Sequence, residues 1–416
     1  MTAVYGANAS GKSSLLDGLS FMQQAVIQSF ATWDAEGGVP RKPFRLRADA
    51  SAEPTLFSAE IVVEGIPYAY GFSVNDDEIQ EEWLYSFPEK RRRVLFERDR
   101  SEIKFGTTLA RDLKSRLELL EEITRSNSLF LSACAQVRIA EWIPVYQWFR
   151  SQLRMRMTLG SLASKRKLAE QVLRLRTRNP TMLDKFLSLL AAADVGITGL
   201  TISEPDDLLL AEQVSQARAE KEHLIVQLNK RNSNASRKRL QLALQHAEIQ
   251  LGAAIHRASE SSQDLKFLHG TESTELELDE ESAGTRSWLT LLPIVLDALE
   301  EGCVVAVDEI DTSLHPLLTA ELIKLFRNPD TNQHDAQLIF TTHDSSLLGR
   351  TTGEEILPRD SIWFVEKDTS GASALFPLTD FKPRDGQNTE RRYLGGSYGA
   401  VPVLDSASFT DAVRNR

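Results

Sequence analysis

The chain opens with a short apolar run, Thr2 to Tyr5, followed by a glycine-rich turn from Gly6 to Gly11. From about Lys12 to Ser29, the apolar positions Leu15, Leu16, Leu19, Met22 and Ile27 recur near helical spacing. The turn therefore reads as the joint between a strand and a helix. Residues 30–52, with Gly37, Gly38, Pro40 and Pro43, read as loop. Between 55 and about 106 the period drops to two. TLFSAEIVV, PYAYGFSV and EIQEEWLYS are separated by Glu64-Gly65 and Asn75-Asp76-Asp77, and RVLFERD and EIKFG add two weaker strands. This pattern predicts an antiparallel meander inserted after the first helix.

From about 108 to 262 the pattern is mostly helical, punctuated by Pro144, Pro180 and Gly196. Leu224 and Leu228 share a face before Asn232-Ser233-Asn234; Leu240, Leu244, Ala247 and Leu251 share one after it. That arrangement predicts a short helical hairpin over about 205–262. From 266 onward short apolar runs return at Cys303–Val307, Gln337–Thr341 and Ser361–Val365, alternating with helical patterns at 286–301 and 314–328. Buried strands alternating with helices predict a mostly parallel sheet with helices on both faces. The expected organisation is α/β. An N-terminal lobe carries the glycine-rich turn and meander (1–107), a helical insertion follows (108–265), then a C-terminal lobe (266–380) and a loop-rich tail (381–416).

Composition narrows the class. With 416 residues, 42% hydrophobic and 26% charged, the chain has room for more than one core and is not wholesale disordered. Two cysteines, Cys134 and Cys303, exclude a disulfide framework and a four-cysteine zinc site. Their number, with no signal-peptide pattern at the start, leads to an expected cytoplasmic location. No apolar run is long enough for a transmembrane helix, so no membrane partner is expected. A net charge of −11 disfavours coating nucleic acid through bulk charge. Residues 141–180 nevertheless hold nine Lys or Arg against Glu141 and Glu170, which leaves open a nucleic-acid contact, a docking face or simply a solvated helix face.

Four clusters carry chemistry. Gly6-Ala7-Asn8-Ala9-Ser10-Gly11-Lys12-Ser13, followed by Ser14, has the spacing of a phosphate-binding loop between a strand and a helix. Backbone N–H groups of such a loop point at phosphate oxygens. Lys12 is expected to reach the β- and γ-phosphates, and the Ser13 hydroxyl to hold Mg²⁺. The bland alternative is a tight turn with an exposed lysine. Second, CVVAV delivers Asp308 and Glu309 at its C-terminal end, where ligands of parallel sheets sit. Asp308 is a candidate Mg²⁺ ligand and Glu309 a candidate base for an attacking water, against the alternative of an acidic helix cap. Third, Phe340-Thr341-Thr342-His343-Asp344 places His343 at another strand end, within reach of a γ-phosphate or of the water. Fourth, Glu281-Ser282-Ala283-Gly284-Thr285-Arg286 opens a helix, as either an anion site through Ser282, Gly284 and Thr285 or an ordinary N-cap.

In this order, GANASGKSSLL, YAYGFSVNDDEIQEEWLYSFP, NSLFLSACAQ, ESAGTR, VVAVDEIDTSLHP, FTTHD and IWFVEKD resemble the ATP-binding-cassette ATPases. They are more similar to heads of the structural-maintenance-of-chromosomes type. The resemblance is greater still to prokaryotic AAA ATP-binding proteins of the abortive-infection and overcoming-lysogenization-defect groups. It implies an ATPase head using ATP and Mg²⁺, with Lys12, Glu309 and His343 in catalysis. It also implies a homodimer with two composite sites, in which Ser282, Gly284 and Thr285 of one subunit meet the γ-phosphate held by Lys12 of the other. Asp311 would lie in the loop linking the two sites. A separate effector protein and a role in phage resistance belong to the same implication.

The chain departs from that pattern in three places. Family members usually have two or three strands before the loop, with an aromatic or backbone contact to adenine. Here five residues precede Gly6, so either the start is late or the base is held loosely. No glutamine suits the Mg²⁺-sensing loop, since Gln23 and Gln24 fall in the first helix. Val365-Glu366-Lys367-Asp368 looks like the first strand of a metal-nuclease domain, but no downstream Asp-x-Asp follows, and no nuclease is expected. The rivals are a nucleotide-gated scaffold with negligible turnover and an ATP-regulated nuclease. A P-loop kinase would leave ESAGTR and His343 idle.

Overall fold

A computed structural model of the chain describes residues 1–47, 50–107, 111–137, 139, 142–156, 161–203, 264–351, 354–382, 387–402 and 404–414, with a few scattered positions between 215 and 247. The chain divides into two units: Met1–Thr158 with Asp297–Arg416, and Leu159–Leu296.

The first unit is built on a six-stranded sheet. Its spatial order is Ser373–Pro377, Ile362–Lys367, Thr2–Tyr5, Gln337–Thr341, Val304–Val307, Leu153–Arg156. Every neighbouring pair is parallel except the edge strand Ser373–Pro377, which returns antiparallel. The inner strands are short and apolar because both their faces are covered: Ala3, Val4, Tyr5, Val305, Ala306, Val307, Leu338 and Phe340 are fully buried. Thr2–Tyr5, the first strand in sequence, sits between two of the last. Its end therefore lies beside the end of Gln337–Thr341, which in turn neighbours Val304–Val307. Three sequence-distant loops leave the sheet side by side at its C-terminal edge, where ligands of such sheets bind.

The five-stranded meander follows the helix Lys12–Thr32, with strands Thr55–Val63, Ile66–Val74, Ile79–Ser86, Arg93–Asp99 and Glu102–Phe105 pairing in chain order. Its alternation buries one face against that helix and the helix Phe130–Gln136, in a core holding Met22, Val26, Phe72, Phe96, Phe130 and Trp142. Phe96 meets Phe130 at 5.3 Å and Trp142 at 5.2 Å between ring centroids. Such aromatic pairs each contribute about 0.5–1.5 kcal/mol beyond area burial.

One fully buried acid crosses this core. Glu82 accepts the backbone N–H of Phe130 (2.6 Å) and of Leu131 (3.0 Å) and the Tyr70 hydroxyl (3.0 Å), and it faces Arg98 at 3.5 Å. Arg98 also donates to the Ser128 carbonyl at 2.6 Å. Burial pushes the Glu82 carboxyl above its usual range, against the pull of Arg98. This network fastens NSLFLSACAQ to the meander.

The structure changes three expectations. Leu153–Arg156, in a stretch read as helical, is a strand paired with Val304–Val307, and Arg154 reaches Asp297 and Glu301. Hydrogen bonding to a distant strand overrides the local pattern there. Ile197–Ser203, also read as helical, is a strand for the same reason, paired antiparallel with Asp264–His269. The tail, read as irregular, contains the helices Thr389–Leu394 and Ser406–Arg414. The first is capped by Asn388, which accepts the Arg391 N–H at 2.8 Å, a local signal that its glycines obscured.

The second unit joins the helices Ser161–Arg178 and Pro180–Ala192 to a three-stranded antiparallel sheet of Ile197–Ser203, Asp264–His269 and Thr274–Glu277. Asn179 caps the second helix, accepting the Thr181 N–H at 3.1 Å. The hairpin expected over 205–262 lies outside the described residues, apart from a few isolated helical positions. Among the described residues, no helix is long and apolar enough to cross a membrane.

Candidate functional site

The glycine-rich turn leaves the end of Thr2–Tyr5 and enters the helix at Lys12. Its path needs a backbone without a side chain at Gly6, where a Cβ would stand 2.5 Å from Ser10 Oγ and 2.6 Å from the Val365 carbonyl oxygen. Ala9 and Gly11 take positive φ values, 62° and 108°. The Lys12 ammonium turns back across the loop and donates to the carbonyls of Gly6 (2.8 Å) and Ala7 (3.1 Å). Burial pulls its pKa below the ordinary lysine range, and the carboxylates of Glu309, Asp308 and Asp311 oppose that shift. Lys12 thus sits inside the field of all three acids.

The sheet brings Asp308 to the loop. The Ser13 hydroxyl donates to Asp308 Oδ1 at 3.2 Å, across 295 positions of sequence. The Thr341 hydroxyl donates to the same Oδ1 at 2.6 Å and accepts the Glu309 N–H at 2.7 Å. Glu309 has a positive φ of 49°, a conformation seldom adopted by a side-chain-bearing residue. Its Oε2 accepts the Thr312 hydroxyl at 3.1 Å. The His343 N–H faces Asp311 Oδ2 at 3.4 Å, and Asp311 Oδ1 is buried without a partner among the described residues. The Tyr5 hydroxyl donates to the Asp344 carbonyl at 3.2 Å, tying the P-loop strand to the histidine loop.

A cleft of about 1190 Å³ opens over these groups. Asn8 to Ser14, Glu309 and His343 line it, together with Lys367 and the Gly371–Ser373 turn. Gly6 to Ser14, Asp308, Glu309 and His343 therefore converge in the first unit. Ser282, Gly284 and Thr285 belong to the second. There the Ser282 hydroxyl accepts the Thr285 N–H at 3.1 Å and lies 2.8 Å from Thr285 Oγ1, capping the helix Ala283–Glu301. His269 Nε2 and Glu281 Oε1 stand 2.6 Å apart just before it. Gln23 is structural, donating to the Phe149 and Leu153 carbonyls at 2.7 and 2.6 Å.

Two contributors escaped sequence reasoning. Thr341 was visible only as a letter in FTTHD. Residues 42–47, read as loop, line the cleft and left no motif to find.

The glycine-rich loop at a buried parallel strand, with an acidic strand end delivered to its serine, defines a P-loop ATPase fold. Residues 1–349 match the family described as "AAA domain, putative AbiEii toxin, Type IV TA system". The chain belongs to that family. Among solved structures it is similar to the Smc head domain with an extended coiled coil bound to the C-terminal domain of ScpA, from Pyrococcus furiosus. That match has 11% identity and a TM-score of 0.30 over 92% of this chain and 91% of the other. It is also similar to the SmcHead bound to the C-winged helix domain of ScpA, at 13% identity and a TM-score of 0.35 over 92% of both chains. No curated protein matches the chain at a significant level.

Proposed function

We propose that the chain is an ATPase that binds Mg–ATP in the cleft over the P-loop, hydrolyses it, and closes as a homodimer of heads. The observation that carries this reading is the 3.2 Å approach of Ser13 Oγ to Asp308 Oδ1, with Lys12 folded over the same loop. A hydroxyl and a carboxylate side by side are the hard oxygen donors that Mg²⁺ prefers, so these residues fit the ion. When bound, Mg²⁺ offsets charge on the phosphate oxygens during transfer.

The remaining steps fall to side chains. Lys12 exchanges the Gly6 and Ala7 carbonyls for phosphate oxygens. Glu309 accepts a proton from the attacking water, a role typically worth about 10²–10⁴ in rate. Thr341 holds both acids in register, and His343 contacts the γ-phosphate or the water. In the closed dimer Ser282, Gly284 and Thr285 of the second copy complete the site, and hydrolysis reopens it. Asp311 lies in the connecting loop. The proposed activity extends to an anti-phage role exercised with a separate effector protein; the family's description speaks of a putative toxin and a type IV TA system and names neither phage nor effector.

The decisive experiment is ATP turnover by the purified chain beside Glu309→Gln. The expected result is Mg²⁺-dependent phosphate release in the wild type and, in the variant, an ATP-trapped dimer with turnover lost. Unchanged turnover in Glu309→Gln removes Glu309 from the mechanism. The second reading, a nucleotide-gated scaffold, is favoured by the Thr312 hydroxyl on Glu309 Oε2 at 3.1 Å, which engages one of the two carboxylate oxygens. It predicts ATP-dependent dimers with negligible phosphate release.

A further inference from the structure

The tail has no part in the phosphate chemistry described above, yet it packs against the loop that carries His343. The helix Thr389–Leu394 lies on the turn Ser345–Leu348, which follows Asp344 directly. Gly396 and Gly399 take left-handed conformations, φ 74° and 66°, that return the chain to the sheet after this helix. A Cβ at Gly399 would stand 2.8 Å from Glu366 Oε2. The Tyr393 hydroxyl donates to the Ala400 carbonyl at 3.3 Å and closes the segment on itself.

Aromatic rings hold this closed segment to the strands. Phe364, on the strand Ile362–Lys367, stacks on Tyr393 and on Tyr398, each at 5.5 Å between centroids. Tyr393 in turn meets Tyr5 edge-on at 5.6 Å. Tyr5 is the last residue of the first strand, immediately before the phosphate loop, and it is fully buried. A buried phenol needs a hydrogen-bond partner. Here the partner is the carbonyl of Asp344, 3.2 Å away on the residue next to His343. Burial, with the Asp344 and Asp311 carboxylates nearby, pushes the Tyr5 pKa well up, so the hydroxyl keeps its proton and stays a donor. His343 itself is exposed, so packing does not fix it. Its backbone is set instead by hydrogen bonds on either side: its own N–H toward Asp311 Oδ2, and the Tyr5 hydroxyl on the next carbonyl.

We propose that Tyr5 is a positioning residue for His343 and that Tyr393 of the tail holds Tyr5 in that role, so that the C-terminal segment sets the turnover rate of the ATP site; this rests on the ATP reading above. Among the described residues, none beyond Ser373 lines the cleft. The tail's effect therefore falls on the catalytic step and not on nucleotide affinity.

The test is steady-state ATP turnover and titration calorimetry of the full chain with Mg²⁺ and ATP. It compares wild type with Tyr5→Phe, Tyr393→Leu, Tyr393→Phe, His343→Ala, and Tyr5→Phe combined with His343→Ala. Tyr5→Phe keeps the ring and deletes only the bond to Asp344. It should lower kcat about tenfold, the scale of one hydrogen bond felt in the transition state, with ATP affinity within about twofold of wild type. Tyr393→Leu keeps an apolar side chain but loses the ring edge on Tyr5, and should lower kcat in the same way; Tyr393→Phe should restore it. In the His343→Ala background Tyr5→Phe should add no further loss, because residues that act through one group are not additive. A merely structural Tyr5 would give additive losses. Wild-type kcat in Tyr5→Phe, Tyr393→Leu or His343→Ala, additive losses in the combination, or an ATP affinity that falls with kcat overturns the positioning role and leaves the ATP reading standing. A wild-type chain without ATP turnover overturns both.

Discussion

The Thr341 hydroxyl donates to Asp308 Oδ1 at 2.6 Å, joining the end of one buried strand to the end of its parallel neighbour. Thr341 Oγ1 also accepts the Glu309 N–H at 2.7 Å, so one side chain sets the position of both acids at the P-loop. Thr341→Val keeps the shape and removes both bonds. It should lower ATP turnover at least tenfold with a small change in ATP affinity, and cost about 1–3 kcal/mol of stability through the unsatisfied Glu309 N–H. Turnover assays, calorimetry and urea unfolding check this; wild-type turnover in Thr341→Val would remove the positioning role.

Gly6→Ala places a methyl group against Ser10 Oγ and the Val365 carbonyl. The loop must shift, and the backbone N–H groups lose their common focus. ATP affinity should fall at least tenfold while the circular dichroism spectrum stays near wild type, since the conflict is confined to one turn.

Lys12 gives a pH prediction. Its folded pKa is drawn below the ordinary lysine value by burial. The unfolded chain therefore holds that proton to higher pH than the folded one, and this group's contribution to stability increases as pH rises between the two values. ATP binding runs the other way, because it needs the ammonium. Affinity should begin to fall at a pH lower than an ordinary lysine, near 10.4, would allow. Lys12→Arg should flatten that alkaline decline in a titration series, whatever its effect on affinity at neutral pH.

Glu82 gives the opposite case. Burial raises its folded pKa above the unfolded value, so its contribution is full below the ordinary glutamate range and declines as pH rises through the folded value. Glu82→Gln should remove that slope in urea unfolding measured from pH 4 to 8. Glu82→Ala should cost about 3–5 kcal/mol, because it strands Arg98 in the core along with the Phe130 and Leu131 N–H groups.

Ser282→Arg tests the composite site. The cap on Thr285 is lost and a long cation replaces a small hydroxyl. ATP binding should persist, while ATP-dependent dimerisation and turnover stop. Normal hydrolysis in this variant would exclude a role for Ser282 across a dimer.

The parts of this protein legible in its residues are those whose physics is local. Gly6 to Ser13 carry their own loop chemistry, since the glycines, the lysine and the hydroxyl act within one turn. The alternation from Thr55 to Phe105 announces a meander because strand periodicity is a property of adjacent residues. An apolar run ending in Asp308-Glu309 announces a buried strand with a charged end. Elsewhere the partner lies far along the chain. Leu153–Arg156 becomes a strand only because Val304–Val307 offers it an edge. Thr341 holds two acids only once the parallel register sets it beside them. Glu82 is tolerable only inside a network closed by Arg98 and the Phe130 helix end. Leu46 joins the cleft through a turn more than 300 residues away. Periodicity and loop chemistry follow from neighbours in sequence. Burial, ion pairing and strand pairing follow from which apolar surfaces meet, and folding the whole chain decides that.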